Sequence, residues 1–217
     1  MLGALFYPKG SQKKPIPFNS LFIPYIYKEI YLDSLYDDIV NQKKDLVIMD
    51  VGANIGIVTQ YLRDYAKKVY SIEPSSEHYE ALIKNKEYNK WDNVETFKMA
   101  LADKDGVMTL NHFDANRTCN SLTNNYGNGG EKVITMRFDT FMEQNKIGQV
   151  DFCKFDVEGA EDMILRSEGF LNVTENIKAI EVEFHYNNWQ NLVDYMIKLG
   201  YTARRYECSA IVVLFSR

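Results

Sequence analysis

In LVIMDVGANIGIVTQYL (residues 46–62) an apolar run stops at Asp50, turns through Gly52 and passes at once into helical spacing. An apolar run this short suits a strand covered on both faces better than a buried helix. A strand that feeds a helix through so tight a turn is the opening unit of an α/β sheet. The rest of the chain repeats it. Strands are expected at Leu46–Val51, Val69–Ile72, Val94–Met99, Val150–Phe155 and Ile177–Glu183. Helices are expected at Ile55–Ala66, Ser76–Asn89, Ala160–Arg166 and Asn188–Leu199. The segments YTARRYE and AIVVLFS read as two more strands joined at Cys208–Ser209, so a mainly parallel seven-stranded sheet ends in an antiparallel hairpin.

Two regions fall outside this alternation. Residues 1–20 hold three of the five prolines and read as an extended arm, and YIYKEIYLDSLYDDIV (25–40) carries Ile26, Ile30, Leu35 and Ile39 at helical spacing. Its tyrosines are expected to pack on the sheet, the alternative being a partner surface. Residues 1–44 are thus an arm with an accessory helix, and 45–217 form the main domain. Within that domain an insertion (103–138) carries short strands at Met108–Asn111 and Lys132–Arg137 around NRTCNSLTNNYGNGG. A loop so long and polar is a candidate lid.

A length of 217 residues allows one large domain. The net charge of −5 argues against a nucleic-acid partner, and the lysine pairs 13–14, 43–44 and 67–68 read as solvated surface. Cys119, Cys153 and Cys208 are odd in number and fit no metal-ligand spacing, which suggests a reducing compartment. The N-terminal apolar stretch is too short for a signal peptide or a membrane helix, so a cytoplasmic location is expected.

Gly52 lets backbone approach a ligand closely, and Asn54 reads as the cap of the following helix, whose free N–H groups suit an anionic group. A dinucleotide site would want G-x-G-x-x-G, yet Gly52-Ala53-Asn54-Ile55-Gly56 is followed by Ile57. In SIEPS, Glu73 ends the next strand 23 residues after Asp50, where a carboxylate can accept hydrogen bonds from ribose hydroxyls. Asp50 would repel a pyrophosphate but can pair with an amino group. This favours S-adenosylmethionine over NAD.

With these residues in place, the chain resembles the class I S-adenosylmethionine-dependent methyltransferases, and more closely their FkbM family. DVGANIG (50–56), SIEPS (71–75), NVETFKMALADKDG (93–106), CNSL (119–122) and above all KFDVEGAE (154–161) carry the resemblance, which covers roughly residues 45 to 185. It implies a Rossmann-like fold and methyl transfer to a hydroxyl of a sugar or other small molecule. N-methylation and a cofactor-binding module without catalysis are the alternatives. Many class I enzymes hold adenine with an acidic residue after the third strand. Here Met99-Ala100-Leu101-Ala102 stands there, making Ala100 and Leu101 the expected adenine contacts. No Asn/Asp-Pro-Pro-Tyr stretch of a DNA amino-methyltransferase follows the fourth strand.

Methylating a hydroxyl needs alignment and a proton acceptor. Ligands sit beyond the carboxyl ends of the strands in such a sheet, where Lys154, Asp156, Glu158 and Glu161 gather with Glu181, Glu183 and His185. His185 or Asp156 is the expected base, with Lys154 and Glu158 orienting the acceptor. The same carboxylates and His185 could hold a divalent metal; no metal ligand is assigned from sequence. His78 and His112 read as surface residues.

Overall fold

The computed structural model describes residues 30, 36–40, 43–113, 120–206 and 210–217. The arm expected over 1–20, most of the helix expected over 25–40, Cys119 and the Cys208–Ser209 turn lie outside these residues.

The strand opening the sequence pattern is β1 (Leu46–Val51), and it occupies the middle of a seven-stranded sheet. The chain leaves β1 through α2 (Ile57–Leu62; α1 is Asp37–Val40) to β2 (Ala66–Ile72), then through α3 (Ser76–Asn89) to β3 (Val94–Phe97). It next builds a separate three-stranded sheet from β4 (Ala100–Leu101), β5 (Gly106–Asn111) and β6 (Gly130–Met136). Helix α4 (Phe138–Gln144) returns it to β7 (Phe152–Phe155), on the other side of β1. Helices α5 (Glu161–Leu165) and α6 (Glu168–Leu171) lead to β8 (Ala179–Phe184), and α7 (Trp189–Lys198) leads to β9 (Thr202–Arg205) and β10 (Ile211–Ser216). The order is β3-β2-β1-β7-β8-β10-β9, with β10 antiparallel to both its neighbours. The reversal of direction between β2–β1 and β1–β7 opens a crevice at the carboxyl ends of these strands.

Alternation along the strands sorts the two cores. Met49, Val51, Cys153, Phe155, Ile180 and Val182 face α4, α5, α6 and α7, where Phe138, Phe141, Phe170 and Met196 are fully or almost fully buried. Ile48, Val69 and Phe152 face α2 and the N-terminal segment. There Tyr36 is buried with its ring centroid 6.1 Å from that of Phe152, as a tyrosine packed on the sheet should be.

Three expectations change. The strand expected to reach Met99 stops at Phe97, because Ala100–Leu101 pair with β6 instead. The first helix starts at Ile57 with Gly56 as its cap, and its last turn tightens into a 3-10 turn over Arg63–Tyr65. Helix α4 has no counterpart in the sequence reading: Phe138, Phe141 and Met142 give only one helical triad, too short to establish a period.

The acidic and basic residues of β7 and β8 are not all at the mouth of the crevice. Ser71, Asp50, Lys154 and Glu181 are register neighbours across four strands, and all are buried. This polar row is tolerable because Lys154 lies between two carboxylates and Tyr36 hydrogen-bonds Glu181. Burial pushes the Glu181 carboxyl up to about 8 despite Lys154 and Tyr36. Asp156 and Glu183, two residues further along their chains, reach the mouth. No helix among the described residues is long and apolar enough to cross a membrane.

Candidate active site

The turn after β1 is tighter than its sequence suggests. Gly52 has φ +79°, and a Cβ on it would stand 1.8 Å from the backbone oxygen of Asp156. Its freedom therefore lets β1 approach the end of β7, while Gly52 itself also lines the crevice. Gly56, at φ +90°, has Leu82 and Trp91 where a Cβ would go, and it packs α2 on α3 rather than facing the crevice. Asn54 is not the helix cap. It sits in the left-handed region at φ 51°, its Oδ1 accepts from the Ile55 N–H at 2.8 Å, and its own N–H donates to Glu73 Oε2 at 2.8 Å.

Asp50 lies behind the turn. Thr59 Oγ1 donates to its Oδ2 at 2.6 Å, and Lys154 Nζ is 3.7 Å from its Oδ1. Burial raises the Asp50 carboxyl above its usual range, against Lys154 and Thr59. Lys154 also donates to the Gly52 carbonyl at 3.1 Å and to Asp156 Oδ2 at 3.2 Å. Neither Asp50 nor Lys154 is among the residues that line the crevice: Lys154 joins the turn to Asp156, and Asp50 sits behind it against Lys154 and Thr59.

A cavity of about 210 Å³ fills the crevice. Glu73, at the end of β2, is held by N–H groups on both oxygens, from Asn54 and from Ser75 at 2.8 Å. His78, expected on the surface, is buried in the first turn of α3 with Nδ1 3.7 Å from Glu73 Oε1, and it lines the cavity. Ser75 caps that helix, so a residue three positions on is carried back toward the crevice; the cap was the available signal. Ile72, Pro74, Ala100, Leu101, Leu110 and Leu122 supply the apolar wall. A fixed carboxylate beside an apolar slot matches the two halves of a nucleoside, ribose diol and purine.

The far wall is ionic. Asp156, Glu158 and Glu183 line the cavity, and His185 stands behind them. His185 Nε2 is 3.7 Å from Asp156 Oδ1, 3.5 Å from Glu158 Oε2 and 3.7 Å from Glu183 Oε1, while Nδ1 meets the wholly buried Glu161 at 3.1 Å. Burial alone would lower the imidazole, but Glu161, Asp156 and Glu158 carry it up to about 10. At neutral pH it is an imidazolium, already holding the proton a base would take. Burial would raise Asp156, yet Lys154 and His185 hold it below the usual carboxylate range. Burial and Asp156 push Glu158 up to about 8.

The CNSL segment explains how the insertion meets this wall. Ser121 is buried; its Oγ donates to the Glu158 carbonyl at 2.6 Å and accepts from the N–H groups of Thr123 and Asn124. Thr123 Oγ1 donates to the Gly159 carbonyl at 3.0 Å. Glu158 and Gly159 both have positive φ, which glycine adopts freely and Glu158 does not, so the segment clamps a turn strained at Glu158. Asn120 and Leu122 line the cavity on either side of Ser121. Over 120–124 the expected lid forms part of the cavity wall, tied to the turn at 158–159. Ser121→Ala should destabilise the protein by ~1–3 kcal/mol, the cost of leaving buried partners unpaired, and reduce turnover more than cofactor affinity. Denaturant melts and cofactor titration check it; an unchanged midpoint would contradict the clamp.

A model of the FkbM methyltransferase domain matches residues 50–203, a span that begins at Asp50 and includes the whole cavity wall. The chain belongs to the FkbM methyltransferase family. It is a methyltransferase whose cofactor is S-adenosylmethionine, and the FkbM chain has the class I Rossmann-like fold. Methyltransferase 1 of Beauveria bassiana (strain ARSEF 2860) is 26% identical over 172 residues, covering 69% of each chain. Among solved structures, an rRNA methylase from Streptococcus thermophilus aligns with a TM-score of 0.55 at 11% identity, over 87% of this chain and 95% of its own. TrmK of M. capricolum, in complex with S-adenosylhomocysteine, aligns with a TM-score of 0.51 at 14% identity, over 83% and 66%. At such identities these two structures attest the fold of the FkbM chain and not its acceptor.

Proposed function

We propose that this protein O-methylates a hydroxyl of a sugar or another small molecule. The observation that carries the reading is one continuous cavity joining Gly52, Asn54 and Glu73 to Asp156, Glu158 and Glu183. S-adenosylmethionine, when bound, supplies a methyl group made electrophilic by its sulfonium. Glu73 accepts the ribose hydroxyls, Ala100 and Leu101 with their apolar neighbours enclose the adenine and exclude water, and the Gly52–Asn54 turn borders the methionine end. Asp50 and Gly56 shape that turn from behind. Holding acceptor and donor in line is worth up to ~7–11 kcal/mol of the barrier.

On the acceptor side, Asp156 is the proton acceptor best placed: it lines the cavity and is held anionic, whereas His185 is already protonated. The hydroxyl proton passes to Asp156 as the new oxygen–carbon bond forms. Lys154 orients Asp156, and Glu158 orients the acceptor. The carboxylates of this wall and the net charge of −5 disfavour a nucleic-acid acceptor. The cysteine pattern of the sequence favours work in the cytoplasm.

The carboxylate wall also supports a second reading, since it would attract an ammonium group and so permit N-methylation of an amine. A panel of polyols and amines, with carbon-labelled donor and NMR of the product methyl, separates the two. Calorimetric titration with S-adenosylmethionine, S-adenosylhomocysteine and NAD tests the cofactor half. The first two should bind and NAD should not, and Glu73→Ala should weaken both by at least ~10-fold, a 1.4 kcal/mol change. Binding of NAD alone would overturn the assignment.

A further inference from the structure

Asp156, Glu158 and His185 each present one donor atom, and these three atoms lie within 4.8 Å of one another. The Nε2 distances of 3.7 Å to Asp156 Oδ1 and 3.5 Å to Glu158 Oε2 are too long for hydrogen bonds. They are close to the spacing of donor atoms that share one ion, about 3–4 Å when each lies ~2.0–2.2 Å from it.

The surroundings point the same way. Lys154 donates to Asp156 Oδ2, and the other oxygen, Oδ1, is buried with no hydrogen-bond partner. Glu161 is wholly buried; its Oε1 sits 3.1 Å from His185 Nδ1 and accepts from the Gly159 N–H, while its Oε2 has no hydrogen-bond partner. A buried carboxylate on one imidazole nitrogen, with the other nitrogen turned to the carboxylates of Asp156, Glu158 and Glu183, is how proteins orient a histidine toward a metal. Rigid elements hold the set, since Asp156 and Glu158 follow β7 and His185 follows the adjacent β8. Asp156 and Glu158 also line the cavity, so an ion among these atoms would face the acceptor.

We propose that Asp156 Oδ1, Glu158 Oε2 and His185 Nε2 bind one divalent cation at the acceptor end of the cavity, the ion displacing the Nε2 proton of the imidazolium to solvent as it binds. Two carboxylates with one imidazole suit a metal between the hard and borderline classes, for which Mn²⁺ is the natural probe. The positions left open on the ion take acceptor oxygens, which selects acceptors with two adjacent oxygen atoms, such as a diol. This last step rests on the methyl-transfer reading; the cation site itself does not.

The test titrates chelator-treated full-length protein with Mn²⁺, followed by electron paramagnetic resonance, and the same protein with S-adenosylhomocysteine by calorimetry. One saturable Mn²⁺ per chain is expected, with nitrogen-14 coupling from an imidazole in the spin-echo spectrum. His185→Gln and Glu158→Gln should each weaken Mn²⁺ binding by at least ~10-fold, the lower bound for disturbing a metal shell. Retained S-adenosylhomocysteine affinity shows that the variants are folded. Absence of a saturable site, Mn²⁺ bound without nitrogen coupling, or affinity unchanged in His185→Gln would each overturn the cation site. Failure of the wild type to bind S-adenosylhomocysteine would strike the cofactor reading instead, whatever Mn²⁺ does.

Discussion

Asp156→Asn should lower kcat by ~10²- to 10⁴-fold, the range lost with a general base, while S-adenosylhomocysteine affinity stays nearly the same. The substitution keeps the shape of the side chain and removes its charge. Three features of the wild-type residue then disappear together. The cavity loses the anion held ready by Lys154, the imidazolium of His185 loses one of its counter-charges, and the acceptor loses the group that receives its proton. Lys154 keeps the Gly52 carbonyl and Asp50 as partners, so the turn that borders the cofactor should survive. Steady-state kinetics with the best acceptor of the hydroxyl panel measure the effect. A fall in kcat below 10-fold would remove Asp156 from the chemistry and leave it a purely structural neighbour of Lys154.

How far such roles could be read from residues alone depends on whether the cause is local. The position of Glu73 at the crevice was legible because a strand ending in an acid and a proline announces its own geometry, and Ser76–Asn89 because Ser75 supplies the cap. The alternation of short apolar runs with helices carried the parallel sheet, and the change to YTARRYE and AIVVLFS carried its antiparallel edge. What escaped was set by contacts distant in the chain. Nothing in FCKFDVEG tells that Lys154 is buried between Asp50 and Glu181, because that depends on the register of three strands. The charge of His185 is likewise fixed by Asp156, Glu158 and Glu161, which share one stretch but reach His185 only through the pairing of β7 with β8. CNSL and DVEG looked like separate motifs. They are one structure, joined where Ser121 holds the Glu158 carbonyl across an interval of 37 residues. Helix α4 was missed for the opposite reason, since its information is local but too brief to show a period.

Gly52→Ala is the second large effect expected, and it tests the reading of the turn that opens the fold. A left-handed backbone costs an L-residue with a Cβ roughly 1–2 kcal/mol. That alone would be tolerable. The larger cost is steric, because the added methyl would stand 1.8 Å from a backbone oxygen of Asp156. A side chain could swing away from such an overlap, but this carbonyl belongs to a residue whose N–H donates to Val51 at 3.1 Å. The end of β7 must therefore shift away from β1, and it carries Asp156 and Glu158 with it. We expect a loss of at least ~3 kcal/mol, corresponding to a fall in Tm of ~6–12 °C for a domain of this size, together with loss of S-adenosylhomocysteine binding. Gly200→Ala separates the two contributions. Gly200 has φ +92° but nothing within 4 Å of an added Cβ, so it carries the conformational cost without the overlap. Its Tm should drop by only a few degrees and cofactor binding should be retained. Equal shifts in the two variants would mean that the strand end yields easily, and that the close approach of β1 to β7 does not hold the acceptor wall in place.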